Sequence, residues 1–313
     1  MSKKVFGVDL GGTTVKMGLF SPEGEVLKKW EIPTRKNDNG KNILPDIADS
    51  IKKCMAENNI AKEDVIGVGI GVPGPVNGEG VIYKAANLGW GVFSVKNTLS
   101  ELLGGINVEA GNDANVAALG EMWKGGGKGY KNMVAVTLGT GVGGGIIVNG
   151  KILTGATGAG GEIGHIHVDD NETEKCGCGK CGCLEQYTSA TGVVRLAKRR
   201  LAQDSKTSVL RDGDVNSKTV WDAVKISDTV AIEIANTFGE YLGKGLASVA
   251  CVVNPDIFVI GGGVSKAGEV LIDYLKPQYE KYVFNGSKEA KFALATLGND
   301  AGIVGAAKLV IEE

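Results

Sequence analysis

The chain has 313 residues, of which 43% are hydrophobic and 22% are charged, and its formal net charge at pH 7 is −2. This is a globular composition, and the length is sufficient for two domains. The basic residues are scattered and no apolar run approaches the ~20 residues that cross a bilayer, so we expect neither nucleic acid nor a membrane as a partner.

The first part of the chain alternates apolar β-like runs with glycine-rich turns. Its predicted elements are, in order, strands at 5–10, 15–20 and about 26–30, a helix near 43–58, strands at 65–70 and 106–110, and a helix at 114–124. A glycine-rich linker, 125–129, follows. Many of the 49 glycines lie at the ends of apolar runs, where we expect the backbone to turn sharply or to approach a ligand.

The opening pattern then recurs. The segment 133–141, Met-Val-Ala-Val-Thr-Leu-Gly-Thr-Gly, aligns with 5–13, Val-Phe-Gly-Val-Asp-Leu-Gly-Gly-Thr, and the Asn149-Gly150 pair after it is a strong hairpin signal. Helices are predicted at about 189–203, 218–226 and 229–253, with a strand at 256–260. Two matching strand–loop–strand units predict two related halves around a cleft, and the mixture of strands and helices predicts an α/β protein.

The glycine loops of the two units are candidate phosphate sites. Gly11-Gly12-Thr13-Thr14 and Gly139-Thr140-Gly141 each offer backbone N–H groups and hydroxyls that suit phosphate oxygens. Neither has the Gly-Lys-Ser/Thr of a Walker A loop, and either alone would more often be a hairpin turn. Their equivalent positions in two repeats favour a phosphate clamp, to which we also assign Lys16.

Three further features point to nucleotide chemistry. Gly261-Gly262-Gly263 after a buried strand would admit a flat adenosine ring or would simply turn the chain into a helix. Asp9 ends an apolar strand, where a carboxylate is costly unless a cation such as Mg²⁺ is near. Asn112-Asp113 precedes a helix, as an N-cap or as the source of a general base, and one aspartate could serve both roles.

A cysteine cluster predicts a metal site. The spacing His165-x10-Cys176-x-Cys178-x4-Cys183 supplies one nitrogen and three sulfurs, a set that suits structural Zn²⁺. The chain starts Met-Ser-Lys-Lys-Val without an apolar signal segment, so we expect a cytoplasmic protein in which disulfides are unfavourable. Cys181 could replace Cys183, His167 could replace His165, and a four-cysteine site is the main alternative. Cys54 and Cys251 are predicted to be core residues.

These features together resemble the ROK family of sugar kinases and sugar-responsive repressors, within the actin-like ATPase superfamily. The segments that carry the resemblance are 9–14, 71–75, 87–90, 109–115 with 118–121, 138–145, 161–165 and 176–185. The likeness spans essentially the whole chain and is closest to bacterial glucokinases. It implies a small α/β domain, 1–113 plus about 300–313, and a larger one, 114–299, with a zinc-binding insertion at about 162–185.

The resemblance also implies roles for residues. Asp113 would be the catalytic base that takes a proton from the 6-hydroxyl of glucose as ATP, with Mg²⁺, donates its γ-phosphoryl group. His165 would use one ring nitrogen for zinc and the other for the sugar. The expected substrate-binding residues are Gly71, Asn87, Asn112, Asp113, Glu162, His165 and Glu185. The family's habit also implies a homodimer or homotetramer.

Several alternatives stay open. Another hexose such as N-acetylmannosamine, fructose or allose would use the same hydroxyl-binding groups, and a catalytically silent sugar-binding regulator would share them too. A DNA-binding repressor is disfavoured, because the first phosphate loop follows Asp9 and leaves no room for a helix-turn-helix domain before it. Polyphosphate as the phosphoryl donor is disfavoured, since relatives that use it generally lack the cysteine cluster.

Overall fold

The computed structural model describes residues 3–83 and 85–311. Its strands are β1 Lys4–Leu10, β2 Thr14–Phe20, β3 Val26–Pro33, β4 Val65–Val72, β5 Val81–Ile82, β6 Phe93–Ser94, β7 Val108–Asn112, β8 Met133–Leu138, β9 Val142–Val148, β10 Lys151–Ile152, β11 Ile257–Gly261 and β12 Lys291–Leu294. Its helices are α1 Ile43–Glu57, α2 Val95–Leu102, α3 Asp113–Lys124, α4 Glu185–Thr188, α5 Ala190–Leu201, α6 Ser217–Lys225, α7 Thr229–Val253, α8 Val270–Tyr282 and α9 Ala301–Leu309. None of the described helices is long and apolar enough to cross a membrane.

The larger strands form two sheets with one strand order. The first sheet runs β3-β2-β1-β4-β7, and the second runs β10-β9-β8-β11-β12. In the first, β2 is antiparallel to β1 and β3, whereas β1, β4 and β7 are parallel. In the second, β8, β11 and β12 are parallel and β10 is antiparallel to β9. The repeat seen in the sequence is therefore a repeat of sheet topology.

The parallel strands of the first sheet bring candidate site residues to one edge. Asp9 of β1 is in register with Gly71 of β4, and β4 in turn pairs with β7, which ends at Asn112. The carboxyl ends of adjacent parallel strands are the usual ligand-binding edge of an α/β sheet. The strand order thus positions residues that are more than 100 places apart in the chain.

Helix α9 packs on this sheet with unusually close backbone contacts. A Cβ on Gly7 would lie 2.0 Å from the Ile303 oxygen, and one on Gly69 would lie 1.7 Å from the Ala306 oxygen. The interior glycines of β1 and β4 therefore admit a helix backbone, a role that the sequence pattern did not indicate. At the crossing of α3 and α9, Gly120 and Gly305 have the same role.

The chain divides into two compact units. One comprises the described residues of 1–129, 145–161 and 297–313, and the other comprises 130–144 and 162–296. Helix α3 belongs to the first unit because it packs on α9, whereas the sequence suggested a domain boundary at 113. A compact unit is not the same as a domain that folds independently, so the domain division stays a prediction.

Two expectations for the cysteines outside the cluster have different outcomes. Cys54 is buried, as predicted for a core residue of α1. Cys251 lies in the last turn of α7 and is exposed, so its prediction as a core residue is wrong. The surrounding residues are apolar, but the side of the helix that carries Cys251 and Val252 faces outward.

Candidate active site and metal centre

The first glycine loop is a tight connection between β1 and β2. The Gly11 N–H donates to the Thr14 oxygen at 3.1 Å. Thr34, which directly follows β3, stabilises the loop, since its N–H donates to the Thr13 oxygen at 2.9 Å and its hydroxyl to the Gly11 oxygen at 2.7 Å. A Cβ on Gly12 would meet nothing within 4 Å. The backbone at Gly12 is therefore open to a ligand, as a phosphate loop requires.

Asp9 and Lys16 are cross-strand partners beside this loop. Burial raises the pKa of Asp9, the nearby Lys16 ammonium lowers it and the negative charge of Asp113 raises it. Two carboxylates that repel each other in a partly buried place are stabilised by a cation, and carboxylate oxygens are ligands that Mg²⁺ accepts. These donors thus fit the predicted magnesium site.

Asn112 caps α3, and Asp113 is the first residue of the helix. The Asn112 side-chain oxygen accepts from the N–H groups of Ala114 and Asn115 at 3.0 and 3.1 Å. Its amide donates to the Gly74 oxygen at 3.2 Å and to Asp113 Oδ1 at 3.0 Å. The cap role therefore belongs to Asn112, which corrects the expectation that Asp113 could be both cap and base.

The Asp113 carboxylate is held in place at Oδ1. Its Oδ1 accepts from the Ala114 N–H at 2.8 Å as well as from Asn112. The position of Gly71, whose added Cβ would lie 3.6 Å from the Asp113 Cα, brings β4 close to the same helix start. A half-buried carboxylate fixed at Oδ1 by two donors is well oriented for proton transfer.

Asn87 lies in a 3-10 turn and is exposed. The turn is anchored by Trp90, a buried residue whose indole N–H donates to the Gly40 oxygen at 3.2 Å. The structure thus places this predicted sugar ligand on a surface loop of the first unit.

The second glycine loop joins β8 to β9 and is held by the start of α5. The Ala190 N–H donates to the Gly139 oxygen at 2.7 Å, and the Thr191 hydroxyl donates to the Thr140 oxygen at 2.8 Å. The Gly139 N–H donates to the Gly141 oxygen at 3.0 Å. The loop carbonyls are therefore engaged by α5, a contact that sequence reasoning missed because the partners are 51 residues apart.

Glu185 connects this loop to the cysteine cluster. Its Oε2 accepts from the Val142 N–H at 3.3 Å and would lie 2.6 Å from a Cβ on Gly141. Its Oε1 lies 2.9 Å from Cys176 Sγ and 3.9 Å from His165 Nδ1. Glu162, by contrast, is exposed and precedes the 3-10 turn that carries His165.

The structure brings together the four predicted zinc ligands. A nitrogen of His165 and the sulfurs of Cys176, Cys178 and Cys183 all lie within 4.8 Å of one another. Cys176 Sγ is 3.7 Å from His165 Nδ1, and Cys178 Sγ is 3.6 Å from Cys183 Sγ. At a Zn–S distance of about 2.3 Å, tetrahedral geometry separates ligand atoms by about 3.8 Å. The donors and their spacing therefore fit a tetrahedral zinc ion.

The two alternative ligands have other partners. Cys181 Sγ donates to the Thr173 oxygen at 3.7 Å. His167 lies 3.0 Å through Nδ1 from the Cys181 oxygen and 2.8 Å through Nε2 from Asp170. Both ring nitrogens of His167 are thus engaged, which favours His165 as the ligand.

The protonation of the thiols depends on their surroundings. Burial raises the pKa of Cys176 to about 12 and also raises the pKa of Cys183. A backbone hydrogen bond from Lys180 lowers the pKa of Cys178, which is exposed. Because zinc binds thiolates, metal binding at this cluster must release protons from the two buried thiols.

The segment before the cysteines is anchored to the helices of the second unit. Glu172, whose side chain is 1% exposed, binds Arg195 at 2.9 Å and Arg199 at 3.0 Å and accepts from the Tyr187 hydroxyl at 2.7 Å. Burial alone would raise the pKa of Glu172, but these hydrogen bonds outweigh it and lower the pKa to about 2. No local pattern in the sequence indicates this network, since the arginines lie one or more helical turns into α5.

Two cavities of the second unit adjoin the candidate residues. One of about 400 Å³ is lined by Thr140 and Gly141 of the loop and by Cys176 and Glu185. The other, of about 510 Å³, lies between Gly263 and α6, where the buried Trp221 forms part of the wall. Gly262 is left-handed at φ 86°, and a Cβ on Gly263 would meet nothing within 4 Å. The sequence did not predict that α6 lines this cavity.

The chain is similar to known proteins over nearly its full length. The sequence model of the ROK family matches residues 5–313. The chain belongs to the ROK family. A glucokinase of Halalkalibacterium halodurans is 45% identical over 98% of this chain and 94% of its own length. The predicted α/β class with the actin-like ATPase fold is confirmed by solved structures of ROK kinases.

Two such structures are similar over nearly the full length. A ROK family glucokinase from Streptomyces griseus, solved in complex with glucose and AMPPNP, is 35% identical with a TM-score of 0.71 and covers 98% of each chain. A ROK hexokinase from Thermus thermophilus is 31% identical with a TM-score of 0.79 and covers 97% of this chain and 96% of its own.

Proposed function

We infer that this protein is an ATP-dependent glucokinase that phosphorylates the 6-hydroxyl of glucose. The observation that carries the proposal is the full-length similarity to glucokinases, at 45% identity for the H. halodurans enzyme. The S. griseus relative, which was solved with glucose and AMPPNP, supports the same sugar and the same class of donor. The open backbone at Gly12 and the cavity beside Gly263 support binding of phosphate and adenosine.

In this proposal Asp113 is the general base. It accepts the proton of the 6-hydroxyl while that oxygen attacks the γ-phosphorus of ATP in line and ADP leaves. The hydrogen bonds at Oδ1 orient the carboxylate that accepts this proton. When bound, Mg²⁺ would offset the phosphate charges, with Asp9 as its protein ligand, directly or through water.

The groups proposed to bind the sugar hydroxyls include both hydrogen-bond donors and acceptors. Glu162, His165 and Glu185 supply carboxylates and an imidazole, and Asn87 supplies an amide. A site of this kind rejects analogues that leave buried polar groups unpaired, which is how an uncharged hexose is recognised. Asn112 contributes mainly by fixing Asp113, since its amide already donates to Gly74 and Asp113.

Zinc would be structural here. His165, Cys176, Cys178 and Cys183 give four protein ligands, so no open position is left for chemistry. Because His165 Nδ1 is the nitrogen near Cys176, we assign Nδ1 to the metal and Nε2 to the sugar. The ion would then fix the orientation of the imidazole.

A coupled assay with Mg-ATP and a panel of hexoses tests the substrate. We expect glucose to give the highest kcat/KM, ahead of fructose, allose and N-acetylmannosamine. A preference for one of those sugars would retain the kinase but replace the substrate. Sugar binding without production of ADP would identify a non-catalytic regulator instead. A cytoplasmic location and a dimeric or tetrameric state stay predictions.

The role of Asp113 is tested by Asp113→Asn. The asparagine keeps the Oδ1 acceptor for Ala114 and Asn112, so the fold and the glucose affinity should be retained, while kcat falls about 10²–10⁴-fold. Asp49→Asn, at an exposed position of α1, is the matched control and should have normal kcat. Normal turnover in Asp113→Asn would remove Asp113 from the mechanism.

A further inference from the structure

The carboxylate of Asp9 lies directly against the first turn of α9. A Cβ on Gly302 would be 2.5 Å from the Asp9 Cγ, 2.6 Å from Oδ2 and 2.9 Å from Cβ. Such distances do not occur between non-bonded carbon atoms, so any side chain at position 302 would force Asp9 to move. The position of this carboxylate at the end of β1 is therefore permitted by the absence of a side chain at position 302 of α9.

The residues just before this turn hold the partner of Asp9. Lys16 Nζ donates to the Asn299 oxygen at 3.4 Å, and Lys16 is opposite Asp9 in the register of β1 and β2. One short segment, 299–302, thus contacts both charged side chains that flank the first glycine loop. Its contact with Lys16 is polar, whereas its contact with Asp9 is steric.

Gly305, the other glycine of α9 with a close contact, meets backbone atoms and not a side chain. A Cβ on Gly305 would lie 1.7 Å from the main-chain oxygen of Val116, at the crossing of α3 and α9. That contact concerns backbone packing alone. Gly302 instead meets a side chain that the proposed function places beside the nucleotide, and the first turn of a helix also stabilises a nearby negative charge.

We propose that Gly302 is a positioning residue for the Asp9 carboxylate and, through it, for the divalent cation that accompanies ATP. The inference rests on the proposed role of Asp9. A methyl group at 302 would turn the carboxylate away from its present direction, because the backbones of β1 and α9 are fixed by the contact of Gly7 with Ile303. Cation affinity should fall without a change in sugar binding.

The test is Gly302→Ala, with Mn²⁺ as a spectroscopic probe for the cation. Binding of Mn²⁺ in the presence of AMPPNP, followed by electron paramagnetic resonance, should weaken about 10-fold, an estimate for a ligand displaced by part of an ångström. The Mg²⁺ concentration for half-maximal activity should rise by a similar factor. The glucose dissociation constant, measured by calorimetry, should stay within about two-fold of the parent value.

A double-mutant cycle with Asp9→Ala separates positioning from general structure. In the parent protein Gly302→Ala should lower the urea midpoint of unfolding. In the Asp9→Ala background the contacts with Cγ and Oδ2 are gone and only the 2.9 Å approach of the two Cβ atoms remains, so the same change should lower the midpoint much less. Should Gly302→Ala fail to fold alone, recovery of the fold in the double variant would support the contact.

Val304→Ala, at a buried position of the same helix, is the structural contrast, since it should lower the unfolding midpoint while the folded protein binds Mn²⁺ normally. Parent-like Mn²⁺ affinity in Gly302→Ala, or an equal loss of glucose affinity, would overturn the inference. Parent-like Mn²⁺ affinity in Asp9→Asn would instead refute the proposed role of Asp9, so the two failures can be told apart.

Discussion

Replacing Glu172 by glutamine should destabilise the protein strongly at neutral pH. The carboxylate is 1% exposed, and its two oxygens are bound by Arg195 and Arg199 and by the Tyr187 hydroxyl. The backbone N–H of Glu174 also donates to Oε1 at 2.9 Å. Glutamine keeps the shape of the side chain but removes the charge on which the arginines depend.

The size of the expected loss in unfolding free energy follows from the pKa of Glu172. The pKa falls from its ordinary 4.5 to about 2 in the folded protein. Each unit corresponds to about 1.4 kcal/mol, so the ionised carboxylate contributes about 3 kcal/mol to the free energy of unfolding at pH 7. Because the folded pKa is the lower one, this contribution is complete above pH 4.5 and is lost as the pH falls toward 2. It should be roughly half of its full value near pH 3.

Urea unfolding monitored by circular dichroism, from pH 7 to pH 3, measures this contribution in the parent and in Glu172→Gln. Glu174→Gln is a matched control, because Glu174 binds the same two arginines but its side chain is 64% exposed. We expect the control to lose less than about 1 kcal/mol. Similar losses of unfolding free energy in the two variants would contradict this role of Glu172. So would a difference between the parent and Glu172→Gln that does not decrease as the pH falls from 7 to 3.

Three further outcomes follow from the described contacts. Metal analysis of the purified protein should show that Cys178→Ser has lost most of its bound zinc, whereas Cys181→Ser should retain about one equivalent. Equal metal content in both variants would refute the ligand set. Glu121 is buried and accepts from the N–H groups of Gly126 and Leu297 at 2.9 Å each, so Glu121→Gln should cost about 1–3 kcal/mol in chemical unfolding, and an unchanged midpoint would contradict this. Gly69→Ala places a methyl group 1.7 Å from a backbone oxygen, so little folded protein should be recovered on expression, and a normal melting temperature would contradict the packing.

The parts of the fold that were predicted are those with a local signal. Strands β1, β2 and β4 are short runs of β-branched and apolar residues, and α7 was predicted at its observed limits, Thr229–Val253. The four zinc ligands converge because three lie in one short knuckle, where spacing along the chain nearly determines spacing in space. Resemblance to the ROK family then supplied the roles that spacing alone left open.

The parts that were missed depend on distant partners. Helix α9 has the sequence AGIVGAAKL, which has almost no polar face and two glycines, so neither amphipathic periodicity nor helix propensity marks it. Strand β12 and helices α2 and α8 were also not predicted. The cap of α3 was predicted as Asn112 or Asp113, and only the observed hydrogen bonds assign it to Asn112. Glu172 and Gly302 act through contacts that no local pattern reveals.

The packing of α9 has a consequence for synthesis of the chain. On the ribosome β1, β4 and α3 emerge early, but the helix that covers them comes after all of residues 130–296. The surfaces around Gly7 and Gly69 therefore stay uncovered for most of translation. The hydrophobic core of the first unit is completed only when residues 301–309 leave the exit tunnel. A nascent chain arrested at Thr296 should expose β1 and β4 to chaperones. Emergence of α9 from the ribosome should then cover these strands.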